Sequence, residues 1–552
     1  MIYKSLVTCF TLLQISVIFC EVQDGPIVTV NEGQLRGSKY ELVDGSTCYA
    51  FRGVPYARPP VGELRFRAPL PPLPWEGIKD VTNFGPICAQ FNITHQGEED
   101  CLHMNIYTKS FNSKSPVIVN IHGGSYDTGS GDFFLPDFLM LHEDIVFVTI
   151  NYRLEALGFL VLDIPEVPGN AGMKDQVESL RWIKNNIAQF GGDPDSVTLL
   201  GESSGASSVT YHMLSPMATG LFHKVIAQSG VCTNDWAIAR NMKKRAFRVG
   251  KLLGTDTEDV YELLNYFRSL DAYSLTNVTT ATATKDELNR GFPDQFLPCV
   301  EKKFPSVVAF ITENPVKMMA EGRVVNNVPL MLGYNSAEGI YNTLDTIAKL
   351  DLYNKEPSYY VPREISEKVS EKKLKEFGDR IKKFYFGDKN MTTDDMNTIA
   401  TMLTDTEFSY NVNRFANLYT KASGLAYLYR FDLVTDLNVV KLVLLGLADL
   451  NGASHGDDLF YLFYNWLNEQ QYKQEEKLRE IVFRLTKLWV NFARTGNPTP
   501  DDSLGAVWKP YTVNGKEYFK IDETYESSNN VDESRMQFWN NLYSEARRPH
   551  IK

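Results

Sequence analysis

The stretch that decides the fold is residues 197–205, with the sequence VTLLGESSG. Residues 197–200 are apolar and partly β-branched, which predicts a buried strand, and residues 206–214 can form a helix. The G-x-S-x-G pattern between them is typical of a strained strand-to-helix turn that exposes a serine, here Ser203. Gly201 and Gly205 let neighbouring backbone approach where a Cβ would clash. The pattern therefore predicts Ser203 as a nucleophile at the edge of a sheet.

Short apolar runs alternate with longer helical stretches through the middle of the chain, as in a mixed sheet covered by helices. The predicted strands are residues 117–121, 145–150, 197–200, 225–227, 328–332 and 425–431. Helical spacing predicts packing helices over residues 174–190 and 478–492, and the highly charged residues 363–389 predict helical segments with a solvated face. No repeat or linker marks a second domain, so we expect one large domain with insertions.

A serine nucleophile needs backbone N–H groups directed at the oxygen on which negative charge develops. His122-Gly123-Gly124-Ser125 follows the strand predicted at residues 117–121, in the position of an HGGG-type loop. Gly124 and Ser125 can supply two donors, and Ser204, directly after the nucleophile, can supply a third. The alternative is a plain glycine turn, which the G-x-S-x-G pattern disfavours.

The proton of the serine needs an acceptor, and an imidazole titrates in the right range. His455 is our candidate among eight histidines, because it lies in a loop-forming segment late in the chain, where the order serine, acid, histidine requires the base. A lone loop histidine is often only a solvated surface group, and the chain order favours the catalytic role. Glu338, just past a predicted strand, is the candidate acid that would orient the imidazole. Asp457 and Asp458 remain alternative acids.

The composition and the first residues bear on partners and location. The 552 residues carry 56 Lys and Arg against 68 Asp and Glu, and this net charge of -12 argues against nucleic acid as a partner. Lys4, the mostly apolar residues 6–19 and the polar sequence from Glu21 predict a signal peptide over residues 1–20. Residues 21–552 would then form the secreted, extracellular domain. No later apolar stretch reaches the roughly 18 to 20 residues of a membrane span.

Five cysteines remain after the predicted signal peptide: Cys48, Cys88, Cys101, Cys232 and Cys299. Cys88 and Cys101 enclose a short polar loop with a glycosylation sequon at Asn92, which favours a local disulfide in an oxidising compartment. Further sequons stand at Asn277 and Asn390. The cysteine and histidine spacings give no support to a metal site.

Several further motifs give the chain a wider resemblance. They are residues 51–57 (FRGVPYA), 99–102 (EDCL) with 105–107 (NIY), 151–153 (NYR) with 157–159 (LGF), Gly169-Asn170 with Asp175-Gln176, and 190–194 (FGGDP). Together with the serine motif they resemble the type-B carboxylesterase and cholinesterase family, in particular its arthropod secreted carboxylesterases. The resemblance covers almost the whole mature chain.

This resemblance implies an α/β-hydrolase fold, an α/β architecture whose central, mostly parallel twisted sheet is covered by helices. The catalytic residues that it implies are Ser203, Glu338 and His455, with Gly124, Ser125 and Ser204 as oxyanion donors. It also implies a disulfide between Cys88 and Cys101, and it implies that Ser229, in the segment Gln228-Ser229-Gly230, supports the histidine.

Some positions depart from the family pattern. Ser125 replaces the usual glycine or alanine of the oxyanion loop, which bears on rate and on the size of the acyl group. Residues 89–100 lack the tryptophan with which cholinesterases hold a quaternary ammonium, so cholinesterase activity is disfavoured. Glu202 stands where juvenile hormone esterases carry glutamine, which weakens that assignment.

The resulting expectation is a secreted serine carboxylesterase that acts on small to medium apolar esters, with no cofactor and with the ester itself as its partner. Xenobiotic, odorant or pheromone, hormone and lipid esters all fit this class. Two alternatives remain open. One is a sequestering esterase that is acylated but turns over slowly, and the other is a non-catalytic binding or adhesion member of the same fold.

Overall fold

The computed structural model describes residues 25–142, 145–291 and 296–547. The predicted signal peptide, residues 1–20, lies outside these ranges. The strands in chain order are β1 (Ile27–Val30), β2 (Gly33–Arg36), β3 (Ser38–Glu41), β4 (Thr47–Pro55), β5 (Ile78–Asp80), β6 (Gln90–Asn92), β7 (Thr94–Gln96), β8 (His103–Thr108), β9 (Ser115–Ile121), β10 (Val146–Ile150), β11 (Gly192–Glu202), β12 (Lys224–Gln228), β13 (Leu330–Asn335), β14 (Ala426–Phe431), β15 (Glu517–Ile521) and β16 (Glu526–Asn529).

In the part of the chain that the structure describes, eleven of these strands form one large sheet in the order β16-β15-β14-β13-β12-β11-β9-β10-β8-β4-β3. The strands from β10 through β9 and β11 to β15 run parallel to their neighbours. Antiparallel strands flank them, with β8, β4 and β3 on one side and β16 on the other. This is the mostly parallel sheet of the α/β-hydrolase fold that the sequence predicted.

Helices cover both faces of the sheet. They are α1 (Glu155–Phe159), α2 (Ala171–Asn186), α3 (Ser204–Leu214), α4 (Met242–Leu253), α5 (Val260–Ser269), α6 (Lys285–Asn289), α7 (Pro315–Ala320), α8 (Thr343–Ala348), α9 (Leu350–Lys355), α10 (Arg363–Ser366), α11 (Glu371–Phe386), α12 (Met396–Leu403), α13 (Tyr410–Lys421), α14 (Leu459–Leu462), α15 (Glu469–Gln474), α16 (Glu476–Thr495) and α17 (Glu533–Arg547). Among the described residues, every helix is too short or too polar to span a lipid bilayer.

The alternation of side chains along the central strands explains why these segments are almost wholly apolar. Val117 and Val119 of β9 join one core cluster, which includes residues of α2 and α3, whereas Ile118 joins a second cluster with residues of α16. Because both faces of a parallel sheet are covered, both sets of alternate residues must be apolar. The described part of the chain therefore forms one domain, with a hydrophobic core on each face of the sheet.

The structure confirms the predicted central strands and helices, with shifts at their ends. The strand predicted at residues 328–332 begins instead at Leu330, because Pro329 has no N–H to donate to a strand ladder. The carbonyl of Pro329 accepts a hydrogen bond from Val225 at 3.0 Å. The late helix ends as predicted at Gly496, whose φ of 76° lies in the left-handed region.

The disulfide between Cys88 and Cys101 is formed. Cys48, Cys232 and Cys299 are buried with free thiols. Asn92, Asn277 and Asn390 of the three sequons are all exposed. The surface positions of these asparagines are compatible with the glycosylation that the sequence predicts.

Candidate active site

Ser203 lies at the turn from β11 to α3. Its backbone has φ 57° and ψ -122°, a conformation that is costly for a residue with a side chain. Its N–H donates to the carbonyl of Gln228 at 2.8 Å, and its own carbonyl accepts from the N–H of Ser207 at 2.9 Å. These bonds to a neighbouring strand and to the first turn of α3 hold the strained conformation in place.

The glycines around Ser203 are required by close backbone packing. A Cβ on Gly201 would lie 2.4 Å from the carbonyl carbon of Gly205, and a Cβ on Gly205 would lie 2.1 Å from the carbonyl oxygen of Ile121. Both distances are shorter than any tolerable contact. Helix α3 therefore packs directly on the carboxyl end of β9, as the G-x-S-x-G pattern predicted.

His455 contacts Glu338 although 117 positions of sequence separate them. Its Nδ1 lies 2.6 Å from Oε2 of Glu338, which is fully buried. The other carboxylate oxygen of Glu338 accepts the N–H of Asn335 at 2.7 Å, and the Asn335 side chain donates to the carbonyl of Ser454, also at 2.7 Å. The end of β13 thus fixes both the carboxylate and the loop that carries the imidazole.

The two alternative acids have other partners. Asp457 accepts from the N–H groups of Ser454 and Lys441, and thereby stabilises the histidine loop. Asp458 accepts from the side chains of Gln228 at 2.6 Å and Asn335 at 3.1 Å. The structure brings neither carboxylate into hydrogen-bond contact with the imidazole.

The second ring nitrogen of His455 faces Glu202, with Nε2 lying 3.2 Å from Oε1. Burial opposes the charged imidazole, but the carboxylates of Glu202 and Glu338 outweigh it and raise the pKa of His455 to about 9. Burial also raises the pKa of Glu202 to about 8. The pair therefore holds a proton at neutral pH. Among the described residues, Ser203 Oγ has no hydrogen-bond partner.

The loop predicted to carry oxyanion donors lies against the serine. A Cβ on Gly123 would be 3.2 Å from Cβ of Ser203. Gly124 and Ser125 have φ values of 102° and 59°, so the loop turns through the left-handed region. In the described ranges, the N–H groups of Gly124, Ser125 and Ser204 have no acceptor. Free donors are what a developing oxyanion needs.

Ser229 differs from the expectation. Its N–H donates to the carbonyl of Gly333 at 2.8 Å, but its buried hydroxyl has no hydrogen-bond partner within the described chain. The ring nitrogens of His455 instead face Glu338 and Glu202. The structure therefore shows no hydrogen bond through which Ser229 could support the histidine.

Aromatic residues that sequence reasoning missed surround the imidazole. The ring of Phe408 lies 4.6 Å from that of His455, and the ring of Tyr341 lies 5.4 Å from it. Trp236 packs near Phe408 and donates its indole N–H to the carbonyl of Glu407 at 2.7 Å. No local pattern distinguishes these aromatic residues from ordinary core residues, because distant segments bring them together.

Comparisons with known proteins agree with this geometry. The model of the Carboxylesterase family matches residues 24–539. The chain belongs to the carboxylesterase family. It is 31% identical to Esterase FE4 of Myzus persicae over 91% of this chain and 90% of that one. It is also 30% identical to the juvenile hormone esterase of Heliothis virescens, over 90% and 89% of the two chains.

The crystal structure of a juvenile hormone esterase from Manduca sexta, with OTFP covalently attached, has the same fold. It is similar with a TM-score of 0.84 and 28% identity, and the match covers 95% of this carboxylesterase and 100% of that chain. The relatives are esterases, and the protein is accordingly a carboxylic-ester hydrolase.

Proposed function

We propose that this carboxylesterase is secreted and hydrolyses small to medium apolar esters through an acyl-enzyme on Ser203. The observation that carries the proposal is the 2.6 Å contact between His455 and Glu338, on an imidazole that also lies 3.2 Å from Glu202, the residue next to the strained and 9% exposed Ser203. Such a contact fixes the imidazole so that its other nitrogen can serve the nucleophile. The aromatic rings around His455 favour apolar substrates.

In this mechanism Ser203 Oγ attacks the ester carbonyl while His455 Nε2 takes its proton. The N–H groups of Gly124, Ser125 and Ser204 stabilise the negative charge on the carbonyl oxygen. The imidazolium then protonates the departing alcohol, leaving an ester between Ser203 and the acyl group. Water repeats the same steps and releases the carboxylic acid.

Glu202 modifies the base. Glu202 and His455 share a proton at neutral pH. When this proton lies on the carboxyl group of Glu202, the imidazole of His455 is neutral and can accept the proton of Ser203. Once the imidazolium forms, a carboxylate 3.2 Å away stabilises it. Glu202 thus acts on the histidine and does not touch the substrate carbonyl in this proposal.

The test is steady-state and burst kinetics on 4-nitrophenyl butyrate, with wild type beside Ser203→Ala. We expect multiple turnovers that fall roughly 10⁶-fold in the variant, the loss typical of a removed catalytic serine. Ser196→Ala, on the same strand β11, is the matched control and should keep full activity. Turnover by Ser203→Ala at the wild-type rate would refute the proposed nucleophile.

Slow turnover after acylation is the second candidate, and one observation favours it. His455 Nε2 faces Glu202 and not Ser203, so a protonated histidine would activate water poorly. A burst of nitrophenol equal to the enzyme concentration, followed by a slow phase, would identify this sequestering esterase. A linear time course would exclude it.

A further inference from the structure

A large cleft opens away from Ser203. It measures about 920 Å³, within the range of small-molecule sites, and neither Ser203 nor His455 is among its described lining residues. Its walls come from the segment 233–244, from α7, from α10 and from the end of α17. We call it the α4 cleft, because the first turn of α4, Asn241 to Lys244, lies in its wall.

The first turn of α4 presents unused hydrogen-bond donors to this cleft. The cap residue Asn241 makes no side-chain cap bond, and the first backbone bond of the helix comes from Arg245 to the carbonyl of Asn241 at 3.1 Å. Within the described ranges, the N–H groups of Met242, Lys243 and Lys244 therefore have no acceptor. A helix beginning of this kind attracts anions through these donors and the helix dipole.

The charges of the cleft also favour an anion. Lys243 and Lys244 have no carboxylate within 4.0 Å in the described chain. Three lining acids are already paired: Asp235 with Arg240 at 2.7 Å, Glu367 with Arg240 at 2.8 Å and Glu364 with Arg414 at 2.6 Å. Asp163 is the lining carboxylate without such a partner among the described residues. Two free ammonium groups thus face one free carboxylate.

An independent observation comes from Thr233 in the lining of the same cleft. The residue is 3% exposed, and its hydroxyl has no hydrogen-bond partner within the described chain. A buried hydroxyl without a partner costs roughly 1–3 kcal/mol. A polar group of a bound molecule would remove this cost.

The remaining lining includes Asn314 and the already paired cations Lys317, Lys368 and Arg547, and it also has an apolar part. Ile238 and Phe247 lie beside the first turn of α4, and Val316 and Ala320 lie one turn apart on α7. A ligand that fits both the cationic first turn of α4 and the apolar part of the lining has an anionic group at one end and an apolar chain. Ester hydrolysis releases such a molecule, because the acid product is ionised at neutral pH and keeps its acyl chain.

We propose that the α4 cleft is a second binding site, separate from Ser203, for an aliphatic carboxylate of the class that the enzyme releases. The carboxylate would lie at the first turn of α4 between Lys243 and Lys244, and the acyl chain would lie along Phe247, Val316 and Ala320. Binding of the carboxylate in the α4 cleft does not require ester hydrolysis at Ser203.

The test is calorimetric titration of the full chain, with Ser203 blocked by paraoxon, using sodium decanoate and 1-decanol below their aggregation limits. We expect decanoate to bind at one site and decanol to bind at least about tenfold more weakly, since a charged hydrogen bond is lost. Loss of decanoate binding after paraoxon treatment, or equal affinities for the two compounds, would overturn the proposal. Because catalysis is blocked throughout, failure here is distinct from failure of the proposed mechanism.

Variants locate the site. Lys243→Gln combined with Lys244→Gln should weaken decanoate binding at least about tenfold, whereas Lys251→Gln, in the last turn of the same helix and outside the cleft, should not. Ala320→Trp, an exposed position, should fill the cleft and abolish binding without changing the thermal midpoint. Wild-type affinity in both cleft variants, or equal loss in Lys251→Gln, would place decanoate elsewhere.

Discussion

At the scale of single residues, the environment of His455 decides the chemistry of the site. Two carboxylates face its two ring nitrogens: the fully buried Glu338 at 2.6 Å and the 11% exposed Glu202 at 3.2 Å. Glu338 holds the ring by a hydrogen bond, whereas Glu202 acts mainly through its charge. The histidine therefore titrates above its usual range, and this has a measurable consequence for the pH dependence of the reaction.

We expect Glu202→Gln to shift the acid limb of the kcat/KM profile to lower pH by about one unit or more. The base must be neutral to accept a proton, and Glu202 raises the pKa of His455; removing this carboxylate lowers that pKa, so activity persists to lower pH. The measurement is kcat/KM for 4-nitrophenyl butyrate as a function of pH. Glu63→Gln, at a well-exposed position, is the control, and an unchanged acid limb in Glu202→Gln would contradict the prediction.

At the scale of elements, the contact between α3 and the sheet determines where the serine lies. Gly201 and Gly205 let the helix approach the strand ends closely, and the same approach brings the loop at Gly123 against Ser203. The disulfide between Cys88 and Cys101 constrains a second surface loop. The close helix approach and the disulfide can each be removed by a separate substitution.

Gly205→Ala should reduce both stability and activity. The added Cβ would lie 2.1 Å from the backbone oxygen of Ile121, which cannot move freely within the sheet, and overpacking of this kind costs typically 1–3 kcal/mol. Thermal unfolding together with ester turnover measures both effects. Ser207→Ala, in the same helix, removes a hydroxyl without a hydrogen-bond partner and should leave both unchanged. Wild-type stability of Gly205→Ala would show that the helix can shift.

The double variant Cys88→Ala, Cys101→Ala should lower the free energy of unfolding by about 3 kcal/mol. The bridge spans a sequence separation of 13, and its loss gives the unfolded loop more freedom. Urea unfolding of the variant, beside oxidised and reduced wild type, measures the change. The reduced wild type should match the variant, and identical midpoints for all three samples would contradict the expectation.

At the scale of the whole molecule, the features that predict secretion agree with one another. The disulfide is formed, and the three sequon asparagines lie on the surface. The net charge of -12 is the basis of the expectation that nucleic acid is not a partner. The signal peptide itself rests on the sequence pattern of residues 1–20.

We expect the protein expressed in insect cells to appear in the medium with its N-terminus near Glu21. Enzymatic removal of N-glycans should lower its mass, and combined replacement of Asn92, Asn277 and Asn390 by Gln should abolish that change. Intact-mass spectrometry of the medium and of the cell lysate makes the measurement. Retention in the lysate with Met1 intact, while activity is normal, would refute the predicted secretion.

The sequence by itself determined the features that depend on neighbouring residues. The strand, the serine turn and the helix at residues 192–214 are local, because the close approach of backbone selects glycine at fixed spacings. The order of serine, acid and histidine and the apolar central strands could likewise be predicted, since both faces of a parallel sheet are buried.

Only the tertiary structure decided which distant groups meet. The sequence pattern favoured Glu338 as the acid but left Asp457 and Asp458 as alternatives, and the end of β13 brings Glu338 alone among them to His455. The contact of Glu202 with the imidazole and the composition of the α4 cleft also depend on segments far apart in the chain. Short-range sequence patterns predict how a single segment folds. Contacts between distant segments depend instead on where the packed sheet and helices place the ends of the strands and the loops that follow them.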